Sequence, residues 1–359
     1  VKAVARWEDP SPFWDDDGKA YLVHSHKGAG PLILHRMSAD GTRLLDDGVE
    51  IYRGPVAEGP KLFKRHGWYY ISLPEGGVEK GGQTVLRSRA LYGPYERRQV
   101  LPDGSPHQGA LVDLPGGETW FIGFKSSGYL GRVCHLLPVR WGEDGWPVFG
   151  DDGRPVERWR KPAVGSGGPI LHPQRSDDFD AAKLQPQWQW NHNPVDGAWS
   201  LADRRGWLRL HAQPADELAL ARDTLTQKIW GRSGVVDVTL DASRLSAGQR
   251  AGFAFMSGKV FDPIGVVRDG TVLRLYWNGG GGPALDTPVV RLRGTYEGDT
   301  ARLLYRLDGS TWVDSGARVR LAFGQWKGAR VALYAYGAGG GSADFDDFRY
   351  GCGAGAERP

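Results

Sequence analysis

The 359-residue chain has no apolar run approaching the roughly 20 residues that cross a bilayer as a helix. It also has no stretch with convincing long amphipathic helical periodicity. The first absence speaks against a membrane-spanning helix, the second against an all-α fold. Cysteine is nearly missing: there are two, Cys134 and Cys352, in different halves of the chain, so no disulfide framework is expected. The opening Val1-Lys-Ala-Val-Ala-Arg-Trp7 lacks the apolar core of a secretory signal. Charge of one sign is absent as well, with 45 basic against 42 acidic residues and a net +3. Without a basic stripe, nucleic acid is not an expected partner. The glycine run Gly279–Gly282 is not followed by Gly-Lys-Ser/Thr, which argues against a phosphate loop and for a loop between strands.

What the chain does have is tryptophan and glycine: 15 Trp, 13 Tyr and 53 Gly. That profile suits an all-β protein with many tight turns. Exposed indole rings stack on the C–H faces of sugars, although Trp also serves as ordinary core filler. A repeat organises the first part of the chain. Asp9, Glu58 and His107 stand 49 residues apart (58 minus 9, 107 minus 58), and nine residues after each comes a glycine, Gly18, Gly67 and Gly116. Each glycine is followed by a strand-like run: Lys19–His24, Trp68–Ser72 and Thr119–Gly123. Two more strand-like runs complete each unit, such as Leu32–Met37 and Val49–Tyr52 in the first. Four strands at a period near 50 residues describe the blades of a β-propeller. The first strand of a blade lines the central channel, so Asp9, Glu58 and His107 are expected to converge at its mouth.

The Pro/Gly-rich stretch between Trp159 and Ser176 has no strand or helix period and marks a boundary. The expected organisation is a propeller portion over 1–160, a linker over 161–175, a β-sandwich over 176–351 and a tail over 352–359. Beyond the boundary come short alternating strands, among them Trp207–His211, Val235–Leu240, Val272–Tyr276, Arg302–Tyr305 and Arg330–Tyr334, separated by turns such as Asp269-Gly270. The last strand carries Asp344, Asp346 and Asp347, and the first segment carries Asp177, Asp178 and Asp180. If those strands pair, oxygen ligands including Asp178 and Asp346 could form a structural Ca²⁺ site. Solvated edge charges that discourage strand addition are the alternative.

With blades and carboxylates in place, the chain resembles glycoside hydrolase family 43, the β-xylosidases, α-L-arabinofuranosidases and arabinanases. Glu8-Asp9-Pro-Ser-Pro-Phe-Trp-Asp-Asp-Asp-Gly18 looks like the family's Asp-Pro segment, whose Asp tunes the acid. Glu58-Gly-Pro-Lys61 looks like the segment bearing the general acid, and His107-Gln-Gly-Ala-Leu-Val112 like the one bearing a channel histidine that holds an ion directly or through water. Gly131-Arg132 matches a substrate-contacting arginine, and the second half is similar to the concanavalin-like or jelly-roll sandwich appended to xylosidase-type members. Invertase-like propellers also carry a sandwich, but there Cys typically follows the acid and Arg precedes the Asp; this chain has Glu-Gly-Pro and Glu-Asp-Pro.

The resemblance implies a five-bladed propeller of which about three blades are present, and inversion by two carboxyl groups on opposite faces of the sugar. It places the general base upstream of this chain. Asp15–Asp17 read as a turn and are not promoted to that role. No cofactor is implied for the chemistry. The expected substrate is a xylo- or arabino-oligosaccharide of plant cell walls, and an oligomer or a separate N-terminal piece is left open as what completes the propeller. The rival reading is a non-catalytic glycan-binding propeller plus sandwich.

Overall fold

The computed structural model describes residues 6–353 except positions 29, 166, 167, 169–171, 308, 310 and 325. The first five residues, part of the expected linker and the tail beyond Gly353 lie outside the described residues. The chain divides into two compact units, Val1–Ser126 with Arg132–Gly168, and Ser127–Gly131 with Pro169–Pro359. Among the described residues no helix is long and apolar enough to cross a membrane.

The first unit consists of three four-stranded antiparallel sheets. The first contains β1 (Trp7–Trp14), β2 (Ala20–His26), β3 (Leu32–Met37) and β4 (Val49–Tyr52). The second contains β5 (Lys61–Arg65), β6 (Trp68–Glu75), β7 (Gly82–Ser88) and β8 (Glu96–Leu101). The third contains β9 (His107–Asp113), β10 (Thr119–Ser126), β11 (Arg132–Trp141) and β12 (Pro147–Phe149). In each sheet the strands follow one another in sequence order, as in propeller blades.

The period-two alternation of β6 explains how the blades stack. Ile71 and Leu73 face the first blade and pack with Val23 and Leu34, whereas Tyr70 faces the third and packs with Phe121 and Leu137. The other face of the third blade is covered only in part: Trp120 is buried, whereas Val112, Ile122 and Leu136, in adjacent strands, are about two-fifths exposed. A buried carboxylate ties the first two blades together: Glu75, 5% exposed, accepts from Tyr52 Oη at 2.7 Å, Thr84 Oγ1 at 2.7 Å and Arg97 Nη2 at 2.6 Å.

The second unit is two seven-stranded antiparallel sheets enclosing one core. One sheet runs, in spatial order, Gln189–Trp190, Leu225–Lys228, Ala329–Tyr336, Arg250–Ser257, Val260–Asp269, Val272–Trp277 and Gly280–Ala284. The other runs Trp199–Ser200, Leu208–His211, Ser342–Cys352, Ser233–Asp241, Val289–Glu297, Thr300–Arg306 and Val313–Arg320. Ser233–Asp241 alternates strictly, with Val236, Val238 and Leu240 fully buried. Ala329–Tyr336 is buried throughout, because Leu218 and Ala221 cover its outer face.

One expectation is corrected here. The glycine run is not simply a loop: Gly280–Ala284 forms an edge strand paired with Val272–Trp277. A Cβ on Gly280 would lie 2.4 Å from Trp277 Nε1, and one on Gly282 2.9 Å from Trp277 Cζ3, so the glycines make room for an indole lying across the edge.

Candidate active site

The repeat holds a one-residue correction. In β1 the pairing Glu8↔Ser25 gives way to Ser11↔Val23, and in β9 the pairing His107↔Phe124 gives way to Ala110↔Ile122. Each strand therefore carries one extra residue, a bulge. Before β5 the Glu58 amide bonds Pro74 O at 3.4 Å, whereas Lys61 pairs with Ser72, which is the same shift. The equivalent positions are thus Glu8, Glu58 and His107, and the bulge residues are Asp9, Gly59 and Gln108. All three of the latter adopt left-handed backbone, at φ 53°, 54° and 53°. For Asp9 and Gln108 that conformation is unfavourable, as strained residues at functional sites commonly are. The glycine count misled because the second hairpin is one residue shorter than the other two: Gly67 stands nine residues after Glu58, whereas left-handed Gly18 (φ 78°) and its counterpart Gly117 (φ 84°), not Gly116, stand ten after Glu8 and His107.

Around the bulges the charged groups gather. The Glu58 carboxyl is half-buried and accepts no hydrogen bond from the described residues. Burial first, then the neighbouring charges of Asp9 and Glu8, push its proton affinity above the usual carboxylate range, against the opposing pull of Arg132. Burial depresses the Arg132 guanidinium, while Glu58 and Asp9 favour its charge. Its Cζ lies over the Phe124 ring, 4.2 Å from the centroid. Lys61 donates to Gly59 O at 3.1 Å; burial lowers its proton affinity and Asp9 counters that.

His107 is 2% exposed and stacks at a tilt on Phe124, with ring centroids 5.7 Å apart. Its Nδ1 lies 2.8 Å from Ser105 O, and because a carbonyl only accepts, that nitrogen carries the proton. In the neutral ring Nε2 is then an acceptor, and it is buried without a hydrogen-bond partner among the described residues. A water, or the hydration shell or coordination sphere of an ion, fits that lone pair, with this one nitrogen as the chain's contribution.

The Asp-rich hairpin is structural. Asp15 accepts from Lys64 Nζ at 2.6 Å and from Tyr69 Oη; burial would raise its pKa, but these bonds outweigh it and hold the carboxyl low. In the second unit the first segment meets the last strand through the single bridge Asp177↔Phe348 and not as a paired strand. The acidic residues there are largely engaged already. Asp344 is held by Arg209 and Arg204, Asp347 by Arg291 and Arg349, and Asp177 by Trp188 Nε1. Burial, then Asp347, Asp180 and Asp178, raise the pKa of Asp346. Among the described residues no group of three or more His, Cys, Asp or Glu is arranged to hold a metal ion. Sequence reasoning passed over Glu8, Lys61, Gln83 and Gln108. Glu8 and Gln108 are chain neighbours of the residues singled out, and only the bulge register would have pointed to them.

Fold and site together define a propeller-type protein with a half-buried carboxyl group whose pKa is pushed above the usual range, joined in sequence to a two-sheet sandwich. Residues 6–147 match Glycosyl hydrolases family 43, and residues 176–351 match the Beta xylosidase C-terminal Concanavalin A-like domain. A putative beta-xylosidase of Xylanibacter ruminicola is 48% identical, covering 92% of this chain and 65% of the relative. A beta-xylosidase of Formosa agariphila is 33% identical, covering 96% and 69%. The crystal structure of xylan beta-1,4-xylosidase from Bacillus halodurans C-125 superposes with a TM-score of 0.84 at 26% identity, covering 97% of this chain and 77% of that one. The chain belongs to glycoside hydrolase family 43. It spans about two thirds of the length of these two curated relatives.

Proposed function

We propose that this chain carries the proton-donating side of an inverting glycoside hydrolase that acts on xylose- or arabinose-containing oligosaccharides of plant cell walls, as a β-xylosidase, an α-L-arabinofuranosidase or both. The state of Glu58 carries the reading. A glutamic acid at an ordinary pKa of ~4.3 is protonated only about one time in 500 at pH 7. A general acid needs a larger share, and burial beside Asp9 and Glu8 acts in that direction.

In this reading Glu58 protonates the departing glycosidic oxygen, and Asp9 disfavours its ionised form. Arg132, over the Phe124 ring, offers directed N–H donors to sugar hydroxyls. His107 Nε2 accepts from water, or takes a channel ion directly or through water. No cofactor enters the chemistry, and calcium at Asp178 and Asp346 would be structural only. The general base belongs to propeller blades outside this sequence, in the same polypeptide or as a separate piece. The exposed face of Val112, Ile122 and Leu136 supports further blades packing there.

The test is Glu58→Ala in a protein with the complete propeller. Turnover of xylo- or arabino-oligosaccharides is expected to fall ~10²–10⁴-fold, the usual worth of general acid catalysis. Aryl glycosides, whose leaving groups need no proton, are expected to lose much less. Equal losses on both substrates overturn the assignment.

A further inference from the structure

The three bulge residues lie side by side across three blades, and one side chain joins them. Gln108, on the third blade, extends its amide to the first, where Nε2 donates to Asp9 Oδ2 at 3.2 Å. Between them lies Gly59 of the second blade. A Cβ there would meet Gln108 Cγ at 3.1 Å and Nε2 at 3.2 Å, so the absence of a side chain opens the path the glutamine takes. The backbone of Gln108 is fixed in turn. At the bulge its N–H is free of the strand ladder and donates instead to Gln83 Oε1 at 3.0 Å. The other end of that amide, Gln83 Nε2, donates to Ser72 Oγ at 2.8 Å, and both Gln83 and Ser72 are fully buried. Every amide orientation in the chain Ser72–Gln83–Gln108–Asp9 follows from its partners, since an N–H can only donate and a carboxylate only accept.

We propose that Gln108, braced by Gln83, is a positioning residue that holds the Asp9 carboxylate beside Glu58. A fixed donor keeps that charge at one distance from its neighbour. Without the amide, Asp9 is free to turn away, and that weakens the repulsion that raises the proton affinity of Glu58. The other groups bearing on this pair are Glu8 on the first blade, Lys61 on the second and Arg132 on the third. Lys61 is the competing anchor: if its ammonium alone held Asp9, the glutamine would be dispensable. The proposal rests on the reading of Glu58 as the acid but is tested apart from turnover.

The experiment is a titration of the Glu58 side-chain carboxyl by ¹³C NMR in this chain, labelled on glutamate and assigned by loss of the signal in Glu58→Gln. In Gln108→Leu the Glu58 midpoint is expected to fall by several tenths of a pH unit or more. In Gln108→Glu, which keeps the shape but exchanges the donor for a carboxylate, it is expected to stay at or above the parent value. In an Asp9→Asn background, Gln108→Leu is expected to add nothing, because the charge it positions has gone. An unmoved midpoint in Gln108→Leu, a fall in both Gln108 variants, or a full effect without Asp9 overturns the proposal. An ordinary midpoint for Glu58 in the parent chain instead counts against its role as the tuned acid, which separates the two failures.

Discussion

Two acidic side chains, one in each unit, meet burial in opposite ways. In the sandwich Asp344, 2% exposed, receives Arg209 Nε at 2.7 Å and Nη2 at 2.8 Å together with Arg204 Nη1 at 3.0 Å. In the propeller Glu58 sits half-buried with like charges beside it and no hydrogen bond from the described residues. Glu75 shows that the propeller also builds saturated sites, so the difference belongs to the position and not to the unit. A carboxylate with all its lone pairs engaged holds structure together and has no capacity left for a ligand. One kept short of partners is costly to fold around and has its proton affinity raised.

This contrast is broken most directly at Arg209. Arg209→Leu leaves Asp344 with Arg204 as its remaining partner and is expected to cost roughly 3–5 kcal/mol, the usual penalty for breaking a buried pair, read from urea unfolding. A loss below about 1 kcal/mol would mean that the pair is as slight as a surface bridge. Glu58→Gln is expected to act in the other direction and less strongly. A carboxyl whose folded-state pKa is raised makes folding less favourable as pH rises from the unfolded-state value through the folded one. The variant is therefore expected to melt higher than the parent at about pH 7 and at the same temperature at about pH 3, where both are neutral. A lower melting temperature at neutral pH would show that Glu58 has a stabilising partner. The smallest effect is expected on the open face of the third blade, where Ile122→Lys should change the unfolding free energy of this chain by no more than about 0.5 kcal/mol. A cost of several kcal/mol in a longer chain would show that further blades cover the residue there; the same cost in this chain would show that the face is already packed.

Much of the fold was legible because strand alternation and turn glycine are local signals. Leu32–Met37 and Val49–Tyr52 have the predicted bounds, and Trp68–Ser72 falls short of the observed strand only at its far end. Strands such as Arg250–Ser257 and Ala329–Tyr336 were missed or shortened because central strands buried on both faces lose the polar half of the alternation. Glu58, Asp9, Arg132 and His107 could be singled out from motif and spacing. Gln108, Gln83 and Lys61 could not, since a glutamine after a histidine or a lysine in a strand carries no signal of what it will touch.

The sequence by itself determined an all-β chain, a repeat near 50 residues, a break before Ser176, and the carboxyl group on which the functional reading rests. It did so because side-chain periodicity, turn chemistry and acid–base character are properties of short segments. The tertiary structure alone decided the register. A bulge adds one residue without altering composition, and the second hairpin is one residue shorter than the first, so a count along the chain aligned Asp9 with Glu58 where pairing aligns Glu8. It also decided that an amide from the third blade reaches the first across a glycine of the second. That contact joins residues 99 positions apart in the chain, and no local pattern encodes it.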